Sequence, residues 1–208
     1  MRILITDDHP LFRIALKHIL ADEFPTAEFG EACNTQETLA LVREKDWAVL
    51  VLDLTLPGRS GLDILGELKE ARPKLPILIL TSQPEELFGL RCLKAGADGY
   101  LSKETAVQEL VGAVRQVIIG RKFITAAMAE KLAARLSDSH CPPHELLSDR
   151  EFQVLGPLAA GKAPKEIGAD LGLSVKTIST YRARILAKLR LESNADLTRY
   201  ALQHNLIS

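Results

Sequence analysis

Residues 47–65 read WAVLVLDLTLPGRSGLDIL, and this stretch decides the fold. Ala48 to Leu52 form an unbroken apolar run, the pattern of a strand buried on both faces. The run ends on a bare carboxylate, Asp53, and Pro57-Gly58 then turns the chain toward a helix-period segment at Leu62–Arg72. A strand-end aspartate is ordinarily a turn former that hydrogen-bonds its own loop. A buried strand that stops on a charge can also aim that charge at a ligand. The neighbouring segments discriminate between the two.

Working outward, the same alternation recurs. Strands are expected at Arg2–Thr6, Ala27–Ala32, Ala48–Asp53, Pro76–Ser82 and Gly99–Lys103. Helices are expected at Pro10–Leu20, Gln36–Lys45, Leu62–Arg72, Glu85–Ala95 and Ala106–Ile119. Five β–α repeats with apolar strands predict a parallel sheet with helices on both faces. Right-handed crossovers make it a doubly wound open sheet. A further amphipathic helix is expected at Thr125–Arg135, followed by the aperiodic SDSHCPPHEL of residues 137–146. Beyond it the chain reads as helix to the end. The expected division is therefore 1–120, a linker with a helix over 121–146, and an all-α domain over 147–208.

Composition bounds the function. Of 208 residues, 47% are apolar and 25% charged, the balance of a soluble globular protein. No apolar run reaches the length of a membrane span, and the opening MRILITDDHP is short and acidic for a signal peptide. Cys33, Cys92 and Cys141 lie far apart without a CxxC pair, which points to a reducing cytoplasm and to neither a disulfide framework nor a zinc site, and without an apolar span no membrane partner is expected. His140, Cys141 and His144 in HCPPH fall short of the four ligands of a structural zinc site. Net charge is −1 but uneven. Residues 1–120 carry 13 basic and 18 acidic side chains, and residues 121–208 carry 13 and 9. A basic back half is a candidate for a polyanion partner.

In a doubly wound sheet, ligands bind beyond the carboxyl ends of the strands. Those ends carry Asp7 and Asp8, then Asp53, then Thr81 and Ser82, then Lys103. Carboxylates gathered this closely repel one another unless a cation lies between them. Mg²⁺ suits the set, because it accepts carboxylate oxygens and keeps positions open for phosphate and water. Such a group suits phosphoryl transfer onto a carboxylate, with Asp53 as nucleophile and Lys103 and Thr81 on the phosphoryl oxygens. His9 follows the acidic pair and is expected to help cap the first helix.

Taken together, TDDHP, VLDLTLPGRSGLDIL, LTS and GADGYLSK resemble the receiver domain of two-component response regulators. The resemblance covers residues 1–120 and implies a flavodoxin-like strand order 2-1-3-4-5. It implies that Asp53 accepts a phosphoryl group from a sensor histidine kinase. Asp7, Asp8, Asp53 and the backbone carbonyl of Thr55 would hold Mg²⁺, while Thr81 and Lys103 contact the phosphate. Tyr100 matches an aromatic switch position whose ring turns inward as Thr81 moves toward the phosphate. Leu56 stands where the family often has Met.

The back half has its own signals. Ser148 and Glu151 are spaced as a capping box, Gly161 ends that helix, and Pro164–Leu171 is a short second helix. Gly172 turns the chain, and Ser174 caps a third helix over Val175–Arg190, giving a helix-turn-helix pattern. That third helix carries Lys176, Arg182, Arg184, Lys188 and Arg190 and no acidic residue. Ile178, Ile185 and Leu189 are expected inside, with Lys176, Thr177, Ser179, Thr180 and Ala183 around its exposed N-terminal part. Such a helix suits the major groove of DNA. LSDRE, AAGK and KEIGADLGLSVKTISTYRARILAKLRL resemble a LuxR-type helix-turn-helix, so the whole chain is similar to a NarL/FixJ-type response regulator. The resemblance implies promoter DNA as partner, with Lys165 among the contacts, and a homodimer on phosphorylation with a contact near Ala195–His204. The pattern departs at Gly156-Pro157, where a kink is expected. It departs again at Ala163-Pro164, which replaces a polar cap.

Two rivals differ in class. A phosphatase of the haloacid type places its nucleophile in DxDxT after the first strand, where this chain reads DDHP. A constitutive DNA-binding protein would bind DNA equally well as Asp53→Asn. The expected function is phosphorylation-switched transcriptional regulation, with no enzymatic role beyond Mg²⁺-dependent self-phosphorylation from a phosphodonor and slow self-dephosphorylation.

Overall fold

Val49–Leu52 forms strand β3, and all four side chains are buried. It pairs in parallel with β1 (Arg2–Thr6) on one side and β4 (Ile77–Thr81) on the other. Strands β2 (Glu28–Ala32) and β5 (Gly99–Ser102) complete a five-stranded sheet in the order β2-β1-β3-β4-β5. The chain is described from a computed structural model covering residues 1–57, 59–137 and 142–207. Gly58, His140 and Cys141 lie outside the described residues.

Alternation along the strands splits the core into two layers. Ile3, Ile5, Val49, Val51, Leu78 and Leu80 pack with Leu16 and Leu20 of α1 (Pro10–Glu23) and Leu110, Val114 and Val117 of α5 (Ala106–Ile118). The alternate residues, Leu4, Leu50, Leu52 and Ile79, are equally buried and point to the other face. Helices α2 (Thr35–Glu44), α3 (Gly61–Ala71) and α4 (Glu85–Lys94) connect the strands there, with α2 against α3 and α4 against β5. Among the described residues no helix is long and apolar enough to cross a membrane.

After α5 the segment expected as a linker with a helix packs on the sheet before that helix begins. Phe123 bridges in parallel to Gly99 on the open edge of β5. Its carbonyl accepts the Tyr100 N–H at 3.1 Å, and its own N–H donates to the Asp98 carbonyl at 3.0 Å. The Thr125 hydroxyl donates to Glu85 at 2.6 Å, and Met128 of α6 (Ala126–Ser137) fills the space above Gly89 of α4. An unpaired sheet edge is thereby covered. Two compact units result, Met1–Arg135 and Leu136–Ser208.

Within the second unit a 3₁₀ turn spans Pro143–Leu146. Helices α7 (Asp149–Ala159), α8 (Pro164–Leu171), α9 (Val175–Leu189) and α10 (Asn194–Gln203) follow. Phe152, Leu155, Ile167, Ile178, Ile185, Leu189 and Leu197 form its interior. Ser148 and Glu151 make both bonds of the expected capping box. Pro157 sits inside α7, yet the helix runs on to Ala159, so the loss is the one bond to the Gln153 carbonyl. At Ala163 the side chain cannot cap α8. The Glu166 carboxylate accepts the Ala163 N–H at 2.8 Å and performs half of a capping box alone. His144, expected in a loose linker, is buried instead, with Nδ1 3.0 Å from the Tyr200 hydroxyl.

Candidate functional site: an acidic pocket and a basic helix

The pocket is built by ladder bonds that continue one step past each strand. Asp7 N–H donates to Ala32 at 3.2 Å, Asp53 N–H to Thr6 at 2.9 Å, and Lys103 N–H to Thr81 at 3.0 Å. Registering the backbone this way brings the ends of β1, β3, β4 and β5 level. Asp7, Asp53 and Thr81 are all almost fully buried there. The wall behind them is close. A Cβ on Gly61 would stand 2.2 Å from the Asp53 carbonyl oxygen, so the first residue of α3 has to be glycine.

Charge balance comes from Lys103. Its ammonium lies 2.5 Å from Asp7 Oδ2 and 2.7 Å from Asp53 Oδ2, and 4.6 Å above the Phe12 ring. The second oxygen of Asp53 accepts the Thr55 N–H at 3.0 Å. Burial pushes the Asp53 carboxyl above its ordinary range, and Lys103 with the Thr55 N–H offsets only part of this. Burial disfavours the charge on Lys103, but Asp53 and Asp7 outweigh it and hold the pKa above the ordinary lysine value. The cation that these carboxylates require is thus supplied in part by the chain itself.

Asp7, Asp8, His9 and Asp53 each offer one ligand atom within 4.8 Å of one another. Asp8 Oδ1 is closed off from solvent and makes no hydrogen bond, although His9 Nδ1 lies only 2.8 Å away. An orphaned carboxylate oxygen among other carboxylates fits a divalent cation. His9 holds the N-cap position of α1, but its side chain makes no cap bond; its backbone N–H donates to Asp7 Oδ1 at 2.8 Å. The expected capping role therefore gives way to a place beside the acids.

Thr81 and Tyr100 are linked through one residue. Gln83 N–H lies 3.4 Å from Thr81 Oγ1, and the Gln83 carbonyl accepts the Tyr100 hydroxyl at 2.7 Å. The ring is already inside, and its burial raises the phenol pKa strongly.

In the second unit, Ile178, Ile185 and Leu189 of α9 face the interior as expected, joined by Leu186. Lys165, Lys176, Ser179, Thr180, Ala183 and Arg184 are exposed, while Thr177 and Arg182 are half-buried. Arg182 Nε donates to Asn194 at 2.6 Å. Lys188, expected as a DNA contact, has a partner within the chain. It pairs with the buried Glu151 at 2.6 Å, an interaction that ties α9 to α7. The turn before α9 is tight: Gly172 has φ 64°, and a Cβ on Gly168 would meet the Leu173 carbonyl at 2.5 Å.

Residues 3–115 match the response regulator receiver domain, and residues 145–201 match the luxR family of bacterial regulatory proteins. The chain belongs to the NarL/FixJ-type response regulators. This response regulator is 33% identical to the response regulator GacA of Pseudomonas aeruginosa, covering 100% of this chain and 98% of that one. It is 32% identical to UvrY of Escherichia coli, covering 99% and 95%. RcsB of Salmonella typhimurium superposes with a TM-score of 0.59 at 26% identity over 96% of this chain and 98% of that one. An RcsB–DNA complex superposes with a TM-score of 0.59 at 26% identity, covering 96% of each.

Within the response regulator, the structure assembles Asp7, Asp8, Asp53, Thr81 and Lys103 at one edge of the sheet. What the sequence reading missed was His9 beside that pocket and the Glu151–Lys188 pair. The adjacency DDH in residues 7–9 was the available signal for the first. For the second, no local pattern links positions 37 residues apart.

Proposed function

We propose that this response regulator is switched by phosphorylation of Asp53 and acts on promoter DNA through α8 and α9. The observation that carries the reading is the buried Asp53 carboxylate, held by Thr55 N–H on one oxygen and by the Lys103 ammonium on the other. A carboxylate oxygen of Asp53 bonds to phosphorus as the bond from phosphorus to the donor's leaving atom breaks. In the cell that donor is a sensor histidine kinase, the usual partner of a receiver domain. The Lys103 ammonium is already in the pocket and passes from carboxylate to phosphoryl oxygen as charge moves there. Asp7, Asp8, Asp53 and the Thr55 backbone carbonyl would hold Mg²⁺, which would supply neutralisation of the phosphoryl oxygens.

Thr81 donates its hydroxyl to the incoming group, and its shift pulls on Gln83. Gln83 in turn holds Tyr100, so the β4–α4 loop and the β5 edge respond together. Domains follow the two units, with residues 121–135 carried by the receiver. In this reading Lys165, Lys176, Arg184 and Arg182 meet DNA phosphates, and Thr177, Ser179, Thr180 and Ala183 face base edges. A homodimer reading two half-sites fits the structure of RcsB, which is recorded as dimers bound to DNA.

The test is intact mass after incubation with Mg²⁺ and acetyl phosphate, with Asp53→Asn alongside. One phosphoryl group on the wild type and none on the variant is the expected result. A phosphoryl group on both proteins moves the acceptor elsewhere. A group on neither removes small-molecule phosphorylation and leaves the α9 surface acting alone.

A further inference from the structure

We propose that α9 reads its DNA half-site through the C5-methyl groups of thymine, met by Thr180, Ala183 and Val175, so that the base pairs under the helix are A·T. The inference rests on the reading above, in which α9 meets promoter DNA, and names what the helix recognises there. Readout of a base by paired hydrogen bonds takes Arg or Lys for guanine and Asn or Gln for adenine, while Asp or Glu accepts from cytosine. Between Val175 and Ala183 only Lys176 and Arg182 belong to these types. Arg182 is half-buried, and its Nε is committed to Asn194 Oδ1 of α10 at 2.6 Å. Lys176 is a point charge on a flexible stem, which suits a phosphate better than the paired acceptors of guanine.

The hydroxyls on this part of the helix are already engaged. Ser179 Oγ donates to the Val175 carbonyl and Thr180 Oγ1 to the Lys176 carbonyl, each at 3.0 Å. Thr177 Oγ1 lies 2.8 Å from Oγ of Ser174, the residue that caps the helix. A hydroxyl whose proton is held by its own helix offers a base only acceptor lone pairs, and guanine N7 and O6 are themselves acceptors. What Thr180 keeps for a base is its methyl group. Lys176, Thr180, Ala183 and Ala187 recur at helical spacing and are all exposed, opposite the buried Ile178, Ile185 and Leu189. After Lys176 that ridge carries only short side chains, so the helix can approach the groove floor closely. Val175, at the first position of α9, adds an apolar side chain that is 49% exposed. Thymine alone presents an apolar group in the major groove, and Thr and Ala methyls are suited to it.

The experiment selects sites for the full chain, treated with acetyl phosphate, from a pool of random-sequence duplexes. Each thymine of the selected half-site is then replaced by uracil, which removes only the C5-methyl group. A·T pairs are expected in the half-site, and uracil at two or more positions is expected to weaken binding about fourfold each, the effect of one buried methyl group. Thr180→Ser keeps the hydroxyl and removes the methyl. It is expected to bind the thymine site about fourfold more weakly and to become indifferent to uracil at one of those positions. Ala183→Gly is expected to do the same at another. The thymine-to-uracil ratio is taken within each variant, so any loss of helix stability in the glycine protein cancels. A selected site without A·T pairs, or full affinity for the uracil duplexes, overturns methyl readout and leaves DNA binding by α9 standing. A uracil penalty unchanged in both variants overturns the roles of Thr180 and Ala183. Enrichment of no sequence at all overturns the promoter-DNA reading and this inference with it.

Discussion

Lys188 and Glu151 show how one residue can serve the fold where the surface pattern suggests a ligand contact. Glu151 is buried; burial raises its pKa, but Lys188 and the Ser148 N–H outweigh that and hold it below the ordinary glutamate value. Lys188→Met leaves this carboxylate with the Ser148 backbone and side-chain hydrogen bonds but no cation. The half-exposed ammonium limits the cost to about 2 kcal/mol, below the range for a fully buried pair. Thermal unfolding of the second unit measures this loss. The slope of log DNA affinity against log salt is expected to stay the same, whereas a lost phosphate contact lowers it by about 0.9. Asp98 is the matching case in the receiver. It accepts from Lys69 at 2.7 Å, Lys122 at 2.9 Å and the Ile77 N–H at 3.0 Å. Burial opposes its charge, but these donors prevail and its pKa is lowered. A lowered folded pKa adds stability above the unfolded value of about 3.9, and that stability is lost as pH falls through the folded value. Asp98→Asn is therefore expected to cost about 2 kcal/mol at pH 7. In urea titrations run at several pH values, the gap to wild type should close below about pH 4.

At the scale of elements, the segment after α5 acts as part of the receiver. It pairs with β5 through Phe123, bonds α4 through Thr125 and seats Met128 against Gly89. A receiver ending at residue 120 loses all of these and bares the β5 edge. Compared with a receiver ending at 135, it is expected to be less stable by about 2 kcal/mol in urea unfolding. Its exposed edge should also make it self-associate in sedimentation. The turn between α8 and α9 gives a second case. Gly168→Ala drives a methyl toward the Leu173 carbonyl, a backbone atom that cannot yield cheaply. A loss of about 1–3 kcal/mol is expected in thermal unfolding, together with weaker DNA binding as α9 shifts.

For the whole molecule, charge is divided along the chain. Residues 1–120 and 121–208 carry 13 basic side chains each, but 18 acidic ones against 9, so the receiver part is net acidic and the part with the helix-turn-helix net basic. In the proposed reading, phosphorylation of Asp53 adds roughly −1.5 to −2 charges beside the Lys103 ammonium. In the same reading that change is relayed through the Thr81–Gln83–Tyr100 hydrogen bonds. DNA affinity of the acetyl phosphate-treated wild type is expected to rise by about tenfold or more through dimerisation. Asp53→Asn should stay at the untreated level in the same gel-shift series. Equal affinity of all three samples would instead favour the constitutive reading.

The sequence by itself determined the five β–α repeats, the place of each carboxylate at a strand end and the helix-turn-helix, while the strand order was what the family resemblance implied. Apolar runs, a 3.6-residue period, capping residues and turn glycines are local, and they are written in neighbouring positions. The capping box at Ser148 and the inward face of α9 were legible for the same reason. Tertiary structure decided which charges meet. Lys103 sits between Asp7 and Asp53 across separations of 96 and 50 residues, and only the registered strand ends bring them within 2.7 Å. The turned-in position of Tyr100, the burial of His144 against Tyr200, and the covering of β5 by Phe123 depend on the same condition. Each rests on a distance between segments remote in the chain, and no local period encodes that distance.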